Sequence, residues 1–158
     1  AEAPIEALLR RRWSPRSFTD QPVSDAHLAS LLEAARWAAS CFNAQPWHLV
    51  VARRDREPVA HAAICACLSG NNQAWAPQAP VLMVSVARLD FAHNGRPNRH
   101  AAYDTGAAMA QMAIQATAIG LQIHQMGGFD LDKARGALGI PEGYEPRAAI
   151  ALGHPGPA

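Results

Sequence analysis

The sequence predicts one domain in which helices cover a β-sheet, of either the α+β or the α/β class. Its 158 residues, 49% hydrophobic and 17% charged, are enough for one sizeable core. Helical and strand-like segments alternate irregularly, and no internal repeat, low-complexity tract or linker divides them. We therefore expect a single domain over residues 1–158. The composition excludes disordered, collagen-like and coiled-coil classes.

The first half of the chain contains two apolar stripes at helical spacing and one run typical of a strand. The stripes follow Pro4 and Ser24, and serine is a good helix N-cap. Pro46 ends the helical pattern, and the letters HLVVARR after it predict a strand. The expected elements are helices at 3–11, 25–38 and near 57–67, and a strand at 48–54.

The second half predicts three strands and two helices. PVLMVSVAR, from Pro80 to Arg88, is rich in β-branched residues and typical of a strand. Small and apolar residues occupy nearly all faces of the segment from Ala101 to Ile119, which predicts a buried, alanine-rich central helix. LQIHQM and RAAIALG are the other strand candidates, and Asp130 is a good N-cap for a last helix.

Charge and cysteine content limit the classes of function that the protein can have. The 14 basic and 13 acidic residues leave a net charge of +1, which does not indicate a nucleic-acid or anionic-membrane partner. No apolar run is long enough to span a bilayer, and Glu2 and Glu6 stand where a signal peptide has basic residues. Three cysteines, Cys41, Cys65 and Cys67, fit a reducing compartment. We expect a cytoplasmic protein.

Familiar catalytic and metal-binding signatures are missing from the sequence. There is no GxGxxG after a strand, and no GxxxxGK[ST], GxSxG, HExxH or CxxC. The seven histidines lack the i, i+4 pairing of helical metal ligands, so we expect no metal site. Cys65 and Cys67 lie two positions apart on a predicted helix, which favours core packing.

Three polar clusters are the candidates for a functional site. Arg12, Trp13, Ser14 and Arg16 follow a helix, and guanidinium and hydroxyl groups there suit a phosphate; a solvated basic turn is the alternative. The second cluster, SCFNAQPW at 40–47, joins a helix to a strand, and such loops often only satisfy the helix end. The third, QMGGFD at 125–130, ends a strand in two glycines, which permits a close backbone approach to a ligand or an ordinary tight turn.

Taken together and in order, these clusters resemble the flavin-dependent nitroreductase family. The resemblance spans nearly the whole chain through RRRWSPRSF, ASCFNAQPWHLVV, GNNQAWAPQAPVLMV, AYDTGAAMAQMAIQATAIGLQIHQMGGFD and LGIPEGYEPRAAIALGHP. It implies an α+β fold with a central mixed sheet covered by helices. It also implies an FMN-binding homodimer with each flavin at the subunit interface, reduced by NADH or NADPH and oxidised by a nitroaromatic, a quinone or a similar small molecule. The flavin carries the chemistry, so no catalytic side chain is expected.

The resemblance also assigns roles to the first cluster. Arg12 and Ser14 match the motif that grips the FMN phosphate and ribityl chain, with Trp13 between them. Arg16 matches the basic residue beside the pyrimidine edge, where positive charge stabilises the anion formed on reduction.

The resemblance places the other two clusters around the flavin ring. Ser40, Cys41 and Asn43 match a loop that the other subunit contributes over the ring, with Gln45 beside it. Asn72 matches a residue that hydrogen-bonds the ring edge. The matched glycine motif, whose backbone approaches N5, comprises Gln125, Met126, Gly127 and Gly128.

Two departures from the family pattern affect these expectations. The family usually has Pro-Ser-Ser where this chain has Ala39, Ser40 and Cys41. Members also normally continue beyond the GHP region into a C-terminal arm that embraces the partner, whereas this sequence stops at Ala158, either trimmed or short. We expect phosphate affinity and dimer stability to depend on that arm.

Some questions stay open at the level of sequence. An FMN-binding carrier or regulatory module without turnover, or another flavin reaction on the same fold, would use the same motifs. Acceptor choice is expected to depend on residues 90–99 and on loops near 65–78. His124 either faces the flavin site or makes a structural hydrogen bond, and Met109 and Met112 fit a core or a dimer interface.

Overall fold

The computed structural model describes residues 2–157 and confirms the α+β class, with a four-stranded sheet between two layers of helices. The elements follow in chain order. They are α1 (Ala7–Arg11), α2 (Asp25–Arg36), β1 (Trp47–Arg53), α3 (Pro58–Cys67), α4 (Gly70–Gln73), β2 (Val81–Arg88), α5 (Ala101–Ala118), β3 (Gln122–Met126), α6 (Leu131–Ala137) and β4 (Tyr144–Gly153). Short 3₁₀ turns occupy Cys41–Asn43 and Ala76–Gln78.

The sheet has the strand order β1-β2-β4-β3, and all three of its pairings are antiparallel. The expectation of a mixed sheet is therefore wrong for the described residues. Strand direction depends on how distant segments pair, and the apolar pattern of a single strand carries no information about it. Since β1 and β3 form the two edges, β3 is the strand that delivers the QMGG motif to an edge of the sheet.

Two cores lie on opposite faces of the sheet, as the alternation of side chains along β2 requires. Val81 and Met83 pack toward α2 and α5. Leu82, Val84 and their neighbours pack toward the side of α3. Seven of the eight residues of β2 are buried, which explains why its sequence is a nearly continuous apolar run.

Helix α5 is buried on one side only, so the expectation of burial on nearly all faces is wrong. Met109 and Met112 lie in the core, whereas Ala110 and Gln111 are exposed. Alanine and glycine fit a buried face and an exposed face equally well, so composition does not separate the two. None of the helices in residues 2–157 combines the length and hydropathy needed to cross a bilayer.

The N-terminal helix is shorter than predicted. It begins at Ala7 instead of residue 3 and has no buried residue. A short helix gains most of its stability from packing, and residues 2–6 are exposed, so propensity alone does not extend the helix. The extended backbone of Arg12, with ψ of 127°, ends it and begins the first polar cluster.

Ion pairs fix the corner where α2 begins beside the end of β1. Arg53, only 7% exposed, binds the Asp25 carboxylate and donates from Nη2 to the Val23 carbonyl oxygen at 3.0 Å. Arg56 Nη1 lies 3.0 Å from the same carboxylate. Hydrogen bonds from Arg53 and then Arg56 lower the pKa of Asp25. The buried guanidinium is thus fully engaged in holding the fold together.

Candidate functional site

Strand β3 holds the first polar cluster in place through two alternate side chains. Gln122 Nε2 donates to the Arg11 carbonyl oxygen at 3.4 Å, and Gln122 Oε1 accepts from the Trp13 backbone N–H at 3.4 Å. Two residues on, His124 Nδ1 lies 2.9 Å from the Pro15 carbonyl oxygen. These contacts clamp the backbone of residues 11–15 and leave the intervening side chains exposed.

A cavity of about 360 Å³ brings the first and third clusters together. Its polar lining consists of Arg12, Ser14 and Gln125. Its apolar lining consists of Leu9, Ala110, Ala113, Ile114 and Ile123. The volume lies within the roughly 300–1,000 Å³ of typical small-molecule sites, and a few convergent polar groups on apolar walls are typical of such sites.

Arg12 and the other arginines of residues 10–16 lack a carboxylate partner within residues 2–157. Six arginines elsewhere in residues 2–157 form ion pairs, namely Arg36, Arg53, Arg54, Arg56, Arg88 and Arg147. In the same described part of the chain, Arg10, Arg11, Arg12 and Arg16 are exposed and form no ion pair. Arg12 Nη1 donates a hydrogen bond to the Ser14 hydroxyl at 3.4 Å. Such guanidinium groups are available to bind an anion from outside the chain.

The glycine pair after β3 is tied to the loop that precedes α4. The Gly128 carbonyl oxygen accepts from Asn72 Nδ2 and from the Ser69 backbone N–H, both at 2.9 Å. A Cβ atom at Gly128 would lie 2.8 Å from Ser69 Oγ and 2.9 Å from Asn72 Nδ2, whereas one at Gly127 would meet nothing within 4 Å. A side chain at position 128 would therefore have to displace the Ser69 hydroxyl and the Asn72 amide, whereas the space beside Gly127 is open to a ligand.

The second cluster lies elsewhere in the single chain. The backbone N–H of Cys41 donates to Asp104 Oδ2 at 2.9 Å, which anchors the 40–45 loop at the beginning of α5. The Gln45 backbone N–H donates to the Ser40 hydroxyl at 3.0 Å. None of Ser40, Cys41, Asn43 and Gln45 lines the 360 Å³ cavity.

The remaining sequence-predicted residues differ in accessibility. Trp13 and Arg16 are exposed beside the cavity-lining residues of their cluster, although neither lines the cavity itself. Met126 is 3% exposed and packs in the core on the α3 side of the sheet, so only its backbone is available to a ligand. The structure thus places Arg12, Ser14 and Gln125 around one cavity. It also links Asn72 to Gly128 by a hydrogen bond.

Sequence reasoning missed three residues that position the clusters. Gln122 and Asp104 are polar but buried, and Ser69 packs against the glycine loop. Buried polar side chains almost always have hydrogen-bond partners. Gln122 in an apolar strand and Asp104 in an alanine-rich helix could therefore have indicated such partners from the sequence. The partners of these two residues are 63 and 111 positions away, which no local pattern indicates. His124, left open above, makes a structural hydrogen bond.

The cysteines on α3 are unrelated to the cavity. The thiols of Cys65 and Cys67 have their pKa raised by burial, and Cys67 Sγ donates to the Ala63 carbonyl oxygen at 3.2 Å. Among residues 2–157, no three His, Cys, Asp or Glu side chains are grouped so as to hold a metal ion.

Similarity to known proteins extends over most of the chain. A model of the family described as "Nitroreductase family" matches residues 9–154. The matched segment therefore includes Arg12, Ser14 and Gln125.

Among curated proteins, the chain is similar to an NADH dehydrogenase of Thermus thermophilus, with 33% identity over 180 residues, 94% of this chain and 85% of that protein. It is also 42% identical over 87 residues to an uncharacterised 15.4 kDa protein of Mycolicibacterium smegmatis. That match spans 55% of this chain and 56% of the relative.

Among solved structures, the fold resembles an oxidoreductase containing FMN, with a TM-score of 0.93 and 36% identity. The match covers 99% of this chain and 80% of that one. The similarity in backbone therefore extends over almost the entire chain.

Proposed function

The chain belongs to the nitroreductase family, and on that basis we propose that it is a flavin oxidoreductase that binds FMN. The observation that carries the proposal is the cavity in which an unpaired Arg12 guanidinium, the Ser14 hydroxyl and the Gln125 amide converge. A similar solved structure is described as an oxidoreductase containing FMN.

The residues present fit such a cofactor. FMN carries a phosphate, a polyhydroxyl chain and a flat ring, so its site needs a cation, hydroxyl or amide groups, and apolar walls. Arg12 supplies a charge that no carboxylate within residues 2–157 neutralises, and Ser14 and Gln125 supply polar groups. A phosphate bound by a guanidinium forms the stronger, charge-assisted kind of hydrogen bond.

FMN bound in this site would supply the chemistry of hydride transfer between a reduced nicotinamide and an acceptor. The chain's own task is to hold the cofactor and balance its charge. The clamp from Gln122 and His124 sets the direction of Arg12 and Ser14 before any ligand arrives, which lowers the entropy cost of binding. Arg16 provides positive charge where the ring becomes anionic on reduction.

The proposed site is completed by a second copy of the chain. The exposed side of α5 and the end of α2 form an apolar surface depression of about 460 Å³. Its lining consists of Ala34, Trp37, Ala110, Gln111, Ile114 and Gln115. Trp37 is 72% exposed in one chain, and a second copy of this surface would cover it. In a homodimer of this kind, the 40–45 loop of one protomer would cover the flavin of its partner. Ser40, Cys41, Asn43 and Gln45 would be the residues that hold the ring.

The proposed electron donor is NADH or NADPH, and the proposed acceptors are nitroaromatics, quinones or similar small molecules. The proposed location is the cytoplasm. Gly127 would let its backbone approach a bound flavin ring closely, because the space where its Cβ would lie is open.

The test begins with the visible absorption spectrum of the purified protein after incubation with excess FMN and gel filtration. We expect a retained flavin spectrum, which bleaches when NADH or NADPH is added without oxygen and returns when a naphthoquinone follows. Light scattering on the same sample measures whether two chains are associated.

The outcomes separate the candidate functions. A flavin that bleaches and recovers supports the oxidoreductase. Retained flavin that stays oxidised with both nicotinamides contradicts turnover and favours the carrier or regulatory alternative. Failure to retain FMN contradicts the cofactor itself.

A further inference from the structure

The surface of the 40–45 loop carries an aromatic side chain that the fold leaves open. Phe42 is 82% exposed, yet its ring contacts two others edge-on. The centroid of Phe91 lies 5.8 Å away at an interplanar angle of 80°, and that of His93 lies 6.2 Å away at 65°. Neither neighbour is stacked parallel to Phe42, so most of this ring's surface stays open to another flat ring.

The backbone holds Phe42 there at a conformational cost. Its φ is 52°, in the left-handed region that bulky residues rarely adopt, and Asn43 and Gln45 have φ of 52° and 46°. Three of the four residues from Phe42 to Gln45 are thus left-handed, and none of them is glycine. Such a backbone persists only when the surroundings impose it, and such strain concentrates at functional sites.

The restraint comes from a buried carboxylate. Asp104 is 4% exposed, and its Oδ2 accepts from the Cys41 backbone N–H at 2.9 Å. The loop closes on itself through Asn43 N–H to the Ser40 carbonyl oxygen at 3.0 Å and Gln45 N–H to the Ser40 hydroxyl at 3.0 Å. Asp104 thereby fixes the position of the residue next to Cys41, which is Phe42.

A second loop fixes the rings that support Phe42. Asp90 and Pro97 pair as an isolated bridge, and Phe91 N–H donates to the Arg96 carbonyl oxygen at 2.8 Å. The loop turns at Gly95, whose φ is 68°. Phe91 is only 9% exposed, so this ring is anchored while Phe42 projects from it.

We infer that Phe42 is a specificity-determining residue on whose ring flat aromatic acceptors stack, with Asp104 as the positioning residue behind it. The inference rests on the proposed function, in which this loop covers the partner's flavin. A flat quinone or nitroarene between two rings gains contact on both faces, whereas an acceptor without a ring gains nothing from Phe42.

The experiment compares two acceptors on FMN-loaded protein reduced in advance with dithionite. One is 2-methyl-1,4-naphthoquinone, which is flat, and the other is ferricyanide, an octahedral ion that does not stack. Phe42→Ala is expected to lower the rate constant for the quinone, relative to ferricyanide, by about 2- to 10-fold, the range of an aromatic pair contact. Phe42→Tyr should retain the wild-type ratio. Val59→Ala, at an 83% exposed position on α3, controls for loss of exposed apolar surface.

A binding measurement gives a readout that does not depend on turnover. Calorimetric titration of the oxidised, FMN-loaded protein with 4-nitrobenzoate, without any electron donor, should show weaker binding by a similar factor in Phe42→Ala. Asp104→Ala should behave like Phe42→Ala, and the double variant should lose no more than either single one. Asp104→Asn keeps an oxygen that accepts from Cys41 N–H and should restore the wild-type ratio.

Other results would overturn the inference. An equal loss for both acceptors, or a loss that accompanies dissociation into monomers in light scattering, would make Phe42 a packing residue between subunits. A third outcome is that the wild-type protein binds and reduces FMN, but Phe42→Ala keeps the wild-type ratio of quinone to ferricyanide rates. That outcome would reject the role of Phe42 and leave the proposed function standing. Wild-type protein that retains no FMN would reject the proposed function and this inference together.

Discussion

The core around β2 and the edge at β3 differ in how far their polar and apolar groups find partners within one chain. In the core, seven residues of β2 are buried, and even the guanidinium of Arg53 is paired with Asp25. At the edge, Arg12 and Gln125 are exposed. The Arg12 guanidinium forms no ion pair within residues 2–157, and it hydrogen-bonds the Ser14 hydroxyl at 3.4 Å. Groups satisfied inside the chain stabilise the fold, and groups left without partners are available to a ligand. Substitutions should therefore separate the two regions.

The largest effect is expected in the core, on the buried side of α5. Met112→Ala should lower the free energy of unfolding by about 2–5 kcal/mol, because it removes a fully buried side chain and leaves a cavity. Urea unfolding measures the change. The exposed neighbour Gln111→Ala should stay within about 0.5 kcal/mol of wild type. Equal losses in both variants would contradict the assignment of the two sides of α5.

The edge should respond in ligand affinity instead of stability. Arg12→Ala should weaken FMN binding by about 1.5–3 kcal/mol, the range for a hydrogen bond to a charged group. Its free energy of unfolding should change by less than about 0.5 kcal/mol, because the side chain is exposed. Fluorescence titration with FMN measures the affinity, and Arg10→Ala is the matched control. An unchanged affinity would remove Arg12 from the phosphate role.

The glycine pair lies where the two regions meet. Gly128→Ala should lower the free energy of unfolding by about 1–3 kcal/mol, since its Cβ would press on Ser69 and Asn72 at less than 3 Å. Gly127→Ala has open space and should leave stability unchanged while weakening FMN binding. Thermal unfolding with and without FMN distinguishes the two. Similar behaviour of both variants in the apo protein would contradict the described packing.

A substitution on the exposed side of α5 tests the proposed contact between two copies of the chain. Ala110→Leu should change the stability of the single chain by less than about 0.5 kcal/mol, because Ala110 is exposed. In the proposed homodimer, the added methylene groups would separate the two helices. The dissociation constant should then rise at least about tenfold, equivalent to about 1.4 kcal/mol. Analytical ultracentrifugation measures it, and an unaltered dimer would place the interface elsewhere.

The smallest effect concerns pH and a histidine in the core. Burial lowers the pKa of His61, whose Nε2 lies 3.0 Å from the Ala79 carbonyl oxygen. The unfolded chain, with a histidine pKa of about 6.5, therefore takes up the proton first. The contribution of neutral His61 is complete above about pH 6.5 and is lost as the pH falls toward the lower folded pKa.

Burial raises the pKa of the Cys65 and Cys67 thiols, so the unfolded thiols lose their protons first as the pH rises above about 8.5. The free energy of unfolding therefore falls with rising pH in that range, opposite to the effect of His61.

The histidine effect is measured by urea unfolding between pH 5 and 7, where the free energy of unfolding should change less steeply with pH in His61→Gln than in wild type. Val59→Ala replaces no titratable group at an 83% exposed position on α3, so it should keep the wild-type slope. Equal slopes in all three proteins would contradict the assignment to His61.

By itself, the sequence determined the local elements and the residues of the first and third clusters. Helix α2 and strands β1 and β2 lie within two residues of their predicted bounds, because apolar periodicity and β-branched runs are local signals. The motif around Arg12 and the glycine pair after Gln125 were recognisable for the same reason. The nitroreductase resemblance is likewise confirmed, since the family model matches residues 9–154.

Only the tertiary structure decided how these elements meet. The antiparallel strand order replaced the expected mixed sheet, and one side of α5 proved exposed. Gln122, His124 and Asp104 acquired positioning roles because each bonds to backbone 63 to 111 positions away. Strand pairing and buried hydrogen bonds join distant segments, so their energies depend on the folded arrangement and leave no periodic pattern along the chain.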